Sequence, residues 1–225
     1  MHAPWKGLRV SDSAIPAQRR RRKEARPQEL TAAALTLFVE KGYAATRLDE
    51  VAARAGVSKG TLYLYFDSKE ALFQAVIREG VVPAIEAGEA MFAEPGSDPR
   101  ALLRAFLEAW WERIGSTELG GIPRLIMAEA ANFPEVARYY NDAVIQRGLA
   151  LLRGAVQRGI DQGVFRAVDT TVIDVLLISP LIHLAGWRSS LAPCCGSNID
   201  PDAYVQAHID MVLQGLAVTS SGANS

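Results

Sequence analysis

Residues 46–66 read TRLDEVAARAGVSKGTLYLYF, and the rest of the chain is understood from this stretch. Leu48, Val51, Ala52 and Ala55 recur at i, i+3, i+4 and i+7, which puts them on one apolar helix face. Thr46 precedes them, with Asp49 three residues on, the pattern of a capping box. Gly56 falls where this helix must stop and the chain reverse, a position that favours a residue free to take positive φ. Ser58 is then placed to cap a second helix over residues 59–66. Helix, short glycine-containing turn, helix is the outline of a helix-turn-helix, whose second helix can enter the major groove of DNA. An ordinary helical hairpin shares that outline. The second helix argues against it: Leu62 and Phe66 serve as core anchors, while Lys59, Gly60, Thr61, Tyr63, Leu64 and Tyr65 fill the remaining surface. Such groups suit phosphates, base edges and thymine methyls.

The segment GVSKGTLYLYFDSKEALF, with LTAAALTLFVEKGYAATRLDEVAARA before it, resembles the TetR (tetracycline-repressor-like) family over residues 27–85. Phe38, Gly42, Tyr43, Thr46, Ala52, Gly56, Val57, Ser58, Thr61, Tyr63, Tyr65, Phe66, Lys69 and Leu72 stand where that pattern expects such residues. The resemblance implies an all-α protein of about nine helices. A three-helix DNA-binding head over residues 26–86, with its motif at 47–66, would precede a helical effector-binding and dimerisation domain over 98–218. It implies DNA contacts by Thr46, Arg47, Ser58, Lys59, Gly60, Thr61, Tyr63, Leu64 and Tyr65, with Lys69 on a phosphate. Thr61 and Tyr63 are the candidates for phosphates. Lys59, Leu64 and Tyr65 are the candidates for base edges or methyls, and Gly60 for close backbone approach. It further implies a homodimer through the last two helices, a palindromic double-stranded operator and a small apolar effector that releases it.

Working outward, the N-terminal side is basic. The chain has a formal net charge of −1, yet residues 1–70 carry 13 Lys/Arg against 8 Asp/Glu, while the remainder carries 11 against 17. That asymmetry suits a nucleic-acid end joined to an end with another task. Residues 1–25 have no apolar periodicity and read as a disordered arm, in which Arg19, Arg20, Arg21, Arg22 and Lys23 could reach phosphates or a minor groove. A solubilising tail is the alternative. The arm has no apolar core of the kind a secretory signal needs. No uninterrupted apolar run reaches the roughly 18 residues of a membrane span. Two adjacent cysteines, Cys194 and Cys195, make no disulfide framework, and a bacterial cytoplasmic, nucleoid-associated location is expected.

Toward the C-terminus everything reads helical. The periodicity predicts a first helix over 27–41, ended by Gly42, and a fourth opening at Asp67 or Ser68. Pro83 should kink that fourth helix. Residues 94–99 (EPGSDP) form the clearest linker. Helices follow over 100–114, 123–131, 134–162, 170–191 (interrupted by Pro180) and 201–218, then a disordered-looking tail over 219–225. The last two are apolar beyond the needs of one small core, which suits a dimer interface.

The sequence carries no catalytic or metal pattern: HExxH, CxxC, GxSxG and a strand-borne GxGxxG are absent, and no cofactor is expected. A redox role for Cys194 and Cys195 is the minor alternative to two reduced thiols. Met91, Phe92, Trp110, Met127, Phe133, Tyr140, His183 and Trp187 are candidates for an apolar effector pocket, though each also suits ordinary core packing. Two other functions remain open: a DNA-binding regulator that needs no effector or activates, and a helical small-molecule-binding protein without DNA affinity.

Overall fold

The computed structural model describes residues 14–94, 96–196 and 199–218, with side chains described from residue 26. Residues 1–13 of the expected arm and the tail 219–225 lie outside the described residues, as do the side chains of Arg19, Arg20, Arg21, Arg22 and Lys23. Among the described residues the regular structure is helical, apart from an isolated antiparallel bridge between Phe165 and Ala217.

Helix α1 (Ala14–Lys41) starts well before Pro27, so residues 14–25 are helical where an arm without regular structure was expected. Periodicity missed this extension because it has no core-facing stripe. Ala, Gln, Arg, Lys and Glu are nevertheless good helix formers, and they extend a helix already nucleated downstream. Gly42, at φ +89°, ends α1 in the left-handed region. α2 (Leu48–Arg54) and α3 (Lys59–Tyr63) form the predicted pair. Gly56 has φ +67°, and the Val57 amide reaches back to the Ala52 carbonyl at 2.9 Å, closing α2. α3 is shorter than expected: beyond Tyr63 the amides of Tyr65 and Phe66 both turn back to the Leu62 carbonyl.

α4 (Lys69–Gly80) is capped by the Ser68 side chain, which accepts from the Ala71 amide. The expected kink at Pro83 is a break instead. The chain leaves α4 at Val81 and restarts as α5 (Val82–Ala93), with Pro83 in its first turn, where a missing N–H costs nothing. α6 (Pro99–Trp110) runs into a π-helical turn at Trp111–Gly115, then a 3₁₀ turn at Glu118–Gly121 leads to α7 (Ile122–Glu129). The long helix expected over 134–162 is α8 (Pro134–Tyr140), a π turn at Asn141–Ile145 and α9 (Gln146–Asp161). α10 (Thr170–Ser190) passes through Pro180, α11 (Ala192–Cys195) is one turn, and α12 (Pro201–Leu216) closes the chain. Cys194 and Cys195 are exposed and unpaired with each other.

Two hydrophobic cores result. The first joins α1–α4 to α7 and α8: Leu30, Phe38, Tyr43, Val51, Leu62 and Phe73 are continuous with Ile122, Leu125, Val136 and Tyr140. Its centre is aromatic, with the rings of Phe38, Tyr43 and Phe73 each 5.5–5.6 Å apart and Phe133 edge-on to Tyr43 at 4.8 Å. Such tilted pairs each add about 0.5–1.5 kcal/mol beyond area burial. The second core packs α6, α9, α10 and α12 around Leu103, Leu107, Leu152, Leu177, Leu181 and Ile209.

α10 is long and apolar enough to cross a membrane by length and composition, with mean hydropathy 1.5 over its most apolar 18 residues, although only 28% of that window is buried. Its inner face packs on α9 and α12, and its buried Asp174 accepts two hydrogen bonds from Arg153 of α9. Val172, Val175 and Leu176 point outward and are exposed.

Candidate nucleic-acid interface and apolar cavity

The α2–α3 pair is held by few anchors, which leaves α3 free to present its surface. Leu62 is fully buried and Phe66 nearly so. Ser58 accepts a hydrogen bond from the Thr61 amide at 3.1 Å, and its hydroxyl lies 2.9 Å from that of Thr61. This caps α3 from within its own sequence, as the residue pattern predicted. Lys59, Gly60, Tyr63 and Leu64 are exposed, Leu64 to 81%. The Lys59 ammonium lies 5.9 Å from the Tyr63 ring centroid, so the two share one edge of the helix. Tyr65 is half-buried against the first core. Arg47 stands at the start of α2 with a bidentate bond to Asp49, at 3.1 and 2.8 Å. That bond raises the Arg47 pKa and lowers that of Asp49, and it leaves Nη1 of the exposed guanidinium open to a phosphate.

Two residues expected at the DNA do other work. Thr46 is 2% exposed, and its hydroxyl shares its one proton between the carbonyls of Gly42, at 2.7 Å, and Leu37, at 3.1 Å. It therefore satisfies carbonyls left open at the end of α1 rather than capping α2, whose N-cap residue, Arg47, makes no side-chain cap bond. Lys69 donates from its ammonium to the carbonyls of Tyr43, Ala44 and Thr46 at 2.8, 3.1 and 3.2 Å. An ammonium has three donors, and all three are committed. The charge also lies 4.6 Å from the Tyr43 ring centroid. Burial lowers the Lys69 pKa, with the Glu129 carboxylate opposing that shift. Lys69 thus clasps the α1–α2 loop rather than waiting for a phosphate.

Below the head lies a cavity of about 290 Å³, walled almost entirely by apolar side chains of α5–α10. That is near the lower end of the roughly 300–1,000 Å³ of small-molecule sites. Trp110, Met127 and Tyr140 line it, as the sequence suggested, together with Ile85, Phe106, Ile126, Leu152, Ile178 and Ile182. Burial pushes the Tyr140 hydroxyl far above its ordinary pKa, so it faces any occupant as a neutral group. His183 and Trp187 line an adjoining groove that shares Met127, Ser179 and Ile182 with the cavity. Three candidates fall elsewhere. Met91 lines a smaller cavity behind Ile85, Phe106 and Trp110, which it shares with the main one. Phe92 stacks edge-on to Phe106 within the second core. Phe133 packs on Tyr43 at the base of the head.

α7 joins cavity and head, a role that periodicity could not show. Pro123, Ile126 and Met127 face the cavity. On the same short helix, Arg124 Nη2 donates to the Val39 carbonyl of α1 at 3.1 Å, and Glu129 accepts from the Ala44 amide at 3.0 Å. Gly121 lets α1 approach, since a Cβ there would lie 2.6 Å from the Val39 side chain.

Comparison with known proteins places this geometry among regulators. Residues 30–76 match the family model of bacterial regulatory proteins, tetR family, and residues 94–188 match that of the tetracyclin repressor-like C-terminal domain. The HTH-type transcriptional repressor KstR2 of Rhodococcus jostii is 28% identical over 203 residues, covering 90% of this chain and 96% of that protein. The HTH-type transcriptional activator FasR of Mycolicibacterium smegmatis is 39% identical over 92 residues, covering 41% and 42%. Among solved structures, the transcriptional regulator FadR of Bacillus subtilis, crystallised in complex with stearoyl-CoA, superposes with a TM-score of 0.65 at 19% identity, covering 84% of this chain and 98% of that one.

Proposed function

The chain belongs to the TetR family of bacterial transcriptional regulators, and from that premise we propose that it is a homodimeric repressor released from a palindromic operator by a small apolar ligand. The observation that carries the reading is α3. A short capped helix holds itself with Leu62 and Phe66 and exposes Lys59, Gly60, Tyr63 and Leu64 to solvent. In this reading residues 26–86 form the DNA-binding head and 98–218 the effector and dimer domain. Thr61 and Tyr63 contact phosphates, and Lys59, Leu64 and Tyr65 read base edges or methyls, with Arg47 and Ser58 at the margin. The basic run at 19–23 adds charge beside the head. The protein works in the cytoplasm and does no catalysis of its own.

Dimerisation is supported by the outward faces of α10 and α12, where Val172, Val175, Leu176 and Met211 are exposed. A second copy covering them would bring two α3 helices toward half-sites about one turn of DNA, ~34 Å, apart. The effector role is supported by the cavity and by α7, which touches both the cavity and the head. A ligand favouring the non-binding arrangement by about 1–3 kcal/mol shifts operator affinity roughly 5–150-fold.

A second reading, activation, is favoured by the FasR match, but that match covers less than half of either protein. The test is a gel shift with DNA flanking the protein's own gene across a salt series, beside a reporter driven by the shifted promoter. Specific binding with a steep salt dependence, and reporter output that rises when the gene is deleted, is the expected result. Output that falls on deletion supports activation instead. No specific shift at any salt overturns the DNA-binding reading.

A further inference from the structure

The groove beside the cavity holds two unpaid polar debts. Arg124 Nε and Trp187 Nε1 are both shielded from solvent and have no hydrogen-bond partner among the described residues. Buried donors are rarely left unpaired, so each requires an explanation. Both residues line the same groove of about 380 Å³ between α7 and α10, with exposed His183 beside them, its ring 6.4 Å from that of Trp187. Among the described residues its wall holds no carboxylate, and Arg124 is its one lysine or arginine. Through Met127, Ser179 and Ile182 it is continuous with the apolar cavity.

We infer that the groove is a head-group subsite, and that the effector is an amphiphile with a single carboxylate. The carboxylate would accept from Arg124 Nε and Trp187 Nε1 once these side chains turn toward it, a movement that two unpaired donors favour, while its hydrocarbon chain fills the cavity. This deepens the effector reading above and rests on it. One guanidinium and one indole N–H match one carboxylate, which accepts hydrogen bonds and carries one charge. They do not match a polyphosphate, which would call for several cations. The apolar cavity matches a chain, because its wall offers little to a second polar end. The subsite also touches the switch. Arg124 Nη2 already holds the Val39 carbonyl of α1, so a carboxylate drawing on the same guanidinium pulls on the head.

The test compares dodecanoate, 1-dodecanol, butyrate and dodecanoyl-CoA by calorimetry and thermal shift on the full-length protein, and repeats it on Arg124→Gln and Trp187→Phe. Dodecanoate is expected to bind at least tenfold more tightly than dodecanol, and butyrate not measurably. Each variant should lower dodecanoate affinity about tenfold, toward that of the alcohol, while leaving the alcohol unchanged. Trp187→Phe removes the indole N–H but keeps an aromatic side chain and leaves the Arg124 bond to Val39 in place, so it tests the groove even if Arg124→Gln loosens the head. Equal binding of acid and alcohol, or an acid preference that survives both variants, overturns the head-group assignment and leaves the apolar cavity as a ligand site. Tighter binding of the CoA ester than of the acid overturns the single-carboxylate assignment. Binding of none of the four overturns this inference and leaves the effector reading to apolar ligands without a straight chain.

Discussion

At the scale of single residues, lysine 69 separates a motif from its use. Its position in the family pattern points to a phosphate, but its ammonium is held by three carbonyls of the α1–α2 loop and by the Tyr43 ring. Lys69→Met should therefore cost about 1–2 kcal/mol of stability, the penalty for leaving two part-buried carbonyls unpaired, and lower the melting temperature by a few degrees. Its effect on the salt dependence of DNA binding should be nil. A slope reduced by about one, with unchanged melting, would restore the phosphate role. Tyr43, beneath that ammonium, is buried, and its pKa is raised to about 12 by burial and by the carboxylates of Glu70 and Glu135. In the unfolded chain a tyrosine titrates near 10. The folded state thus keeps a proton that the unfolded state loses. The contribution is complete below about pH 10 and is lost as pH rises through about 12, on the order of 2 kcal/mol. Denaturant titrations from pH 9 to 12 should show Tyr43→Phe losing less stability than the parent over that window. Parallel curves would show that Tyr43 is not the group responsible.

At the scale of elements, α3 is five residues long and depends on its cap. A helix that short has almost no intrinsic stability, so the Ser58 bond to the Thr61 amide and the buried Leu62 and Phe66 must hold it. Ser58→Ala should destabilise the protein by about 1 kcal/mol, read from the denaturation midpoint. It should weaken DNA binding by more than loss of one hydroxyl contact would, because the whole reading surface frays. Unchanged stability in Ser58→Ala would mean that the cap is not what orders α3. The same element shows what the sequence could carry. Ser58, Gly56 and the apolar spacing of α2 act within a few residues of themselves, so their structure is written locally. The α4–α5 break is partly legible for the same reason: Pro83 announces a disturbance, but whether the helix kinks or restarts at Val81 depends on how each half packs.

At the scale of the molecule, α10 has two jobs with opposite faces. Inward it seats Leu177 and Leu181 in the second core and buries Asp174 against a partly exposed Arg153. Outward it leaves Val172, Val175 and Leu176 uncovered. Leu176 is 57% exposed, so Leu176→Glu should leave the fold and melting behaviour of the isolated chain intact. In a dimer that buries this face, the same charge would be desolvated, at a cost of several kcal/mol. Sedimentation should then show a monomer, with operator binding reduced at least tenfold. A dimer that persists in Leu176→Glu would place the pairing surface elsewhere.

By itself the sequence determined the helical class, the α2–turn–α3 unit, the cap at Ser58, the left-handed glycines at 42 and 56, and which groups α3 shows to solvent. All of these depend on spacings of a few residues, where backbone geometry leaves few choices. Only the tertiary structure decided that Lys69 and Thr46 turn inward, that Phe92 and Phe133 are core while Trp110, Met127 and Tyr140 wall a cavity, and that Arg124 spans groove and head. The carbonyls that hold Lys69 lie 26, 25 and 23 residues away along the chain, and the one that holds Arg124 lies 85 away. A donor's role is set by whichever acceptor packing brings within about 3 Å, and no periodicity records a meeting at that distance in sequence.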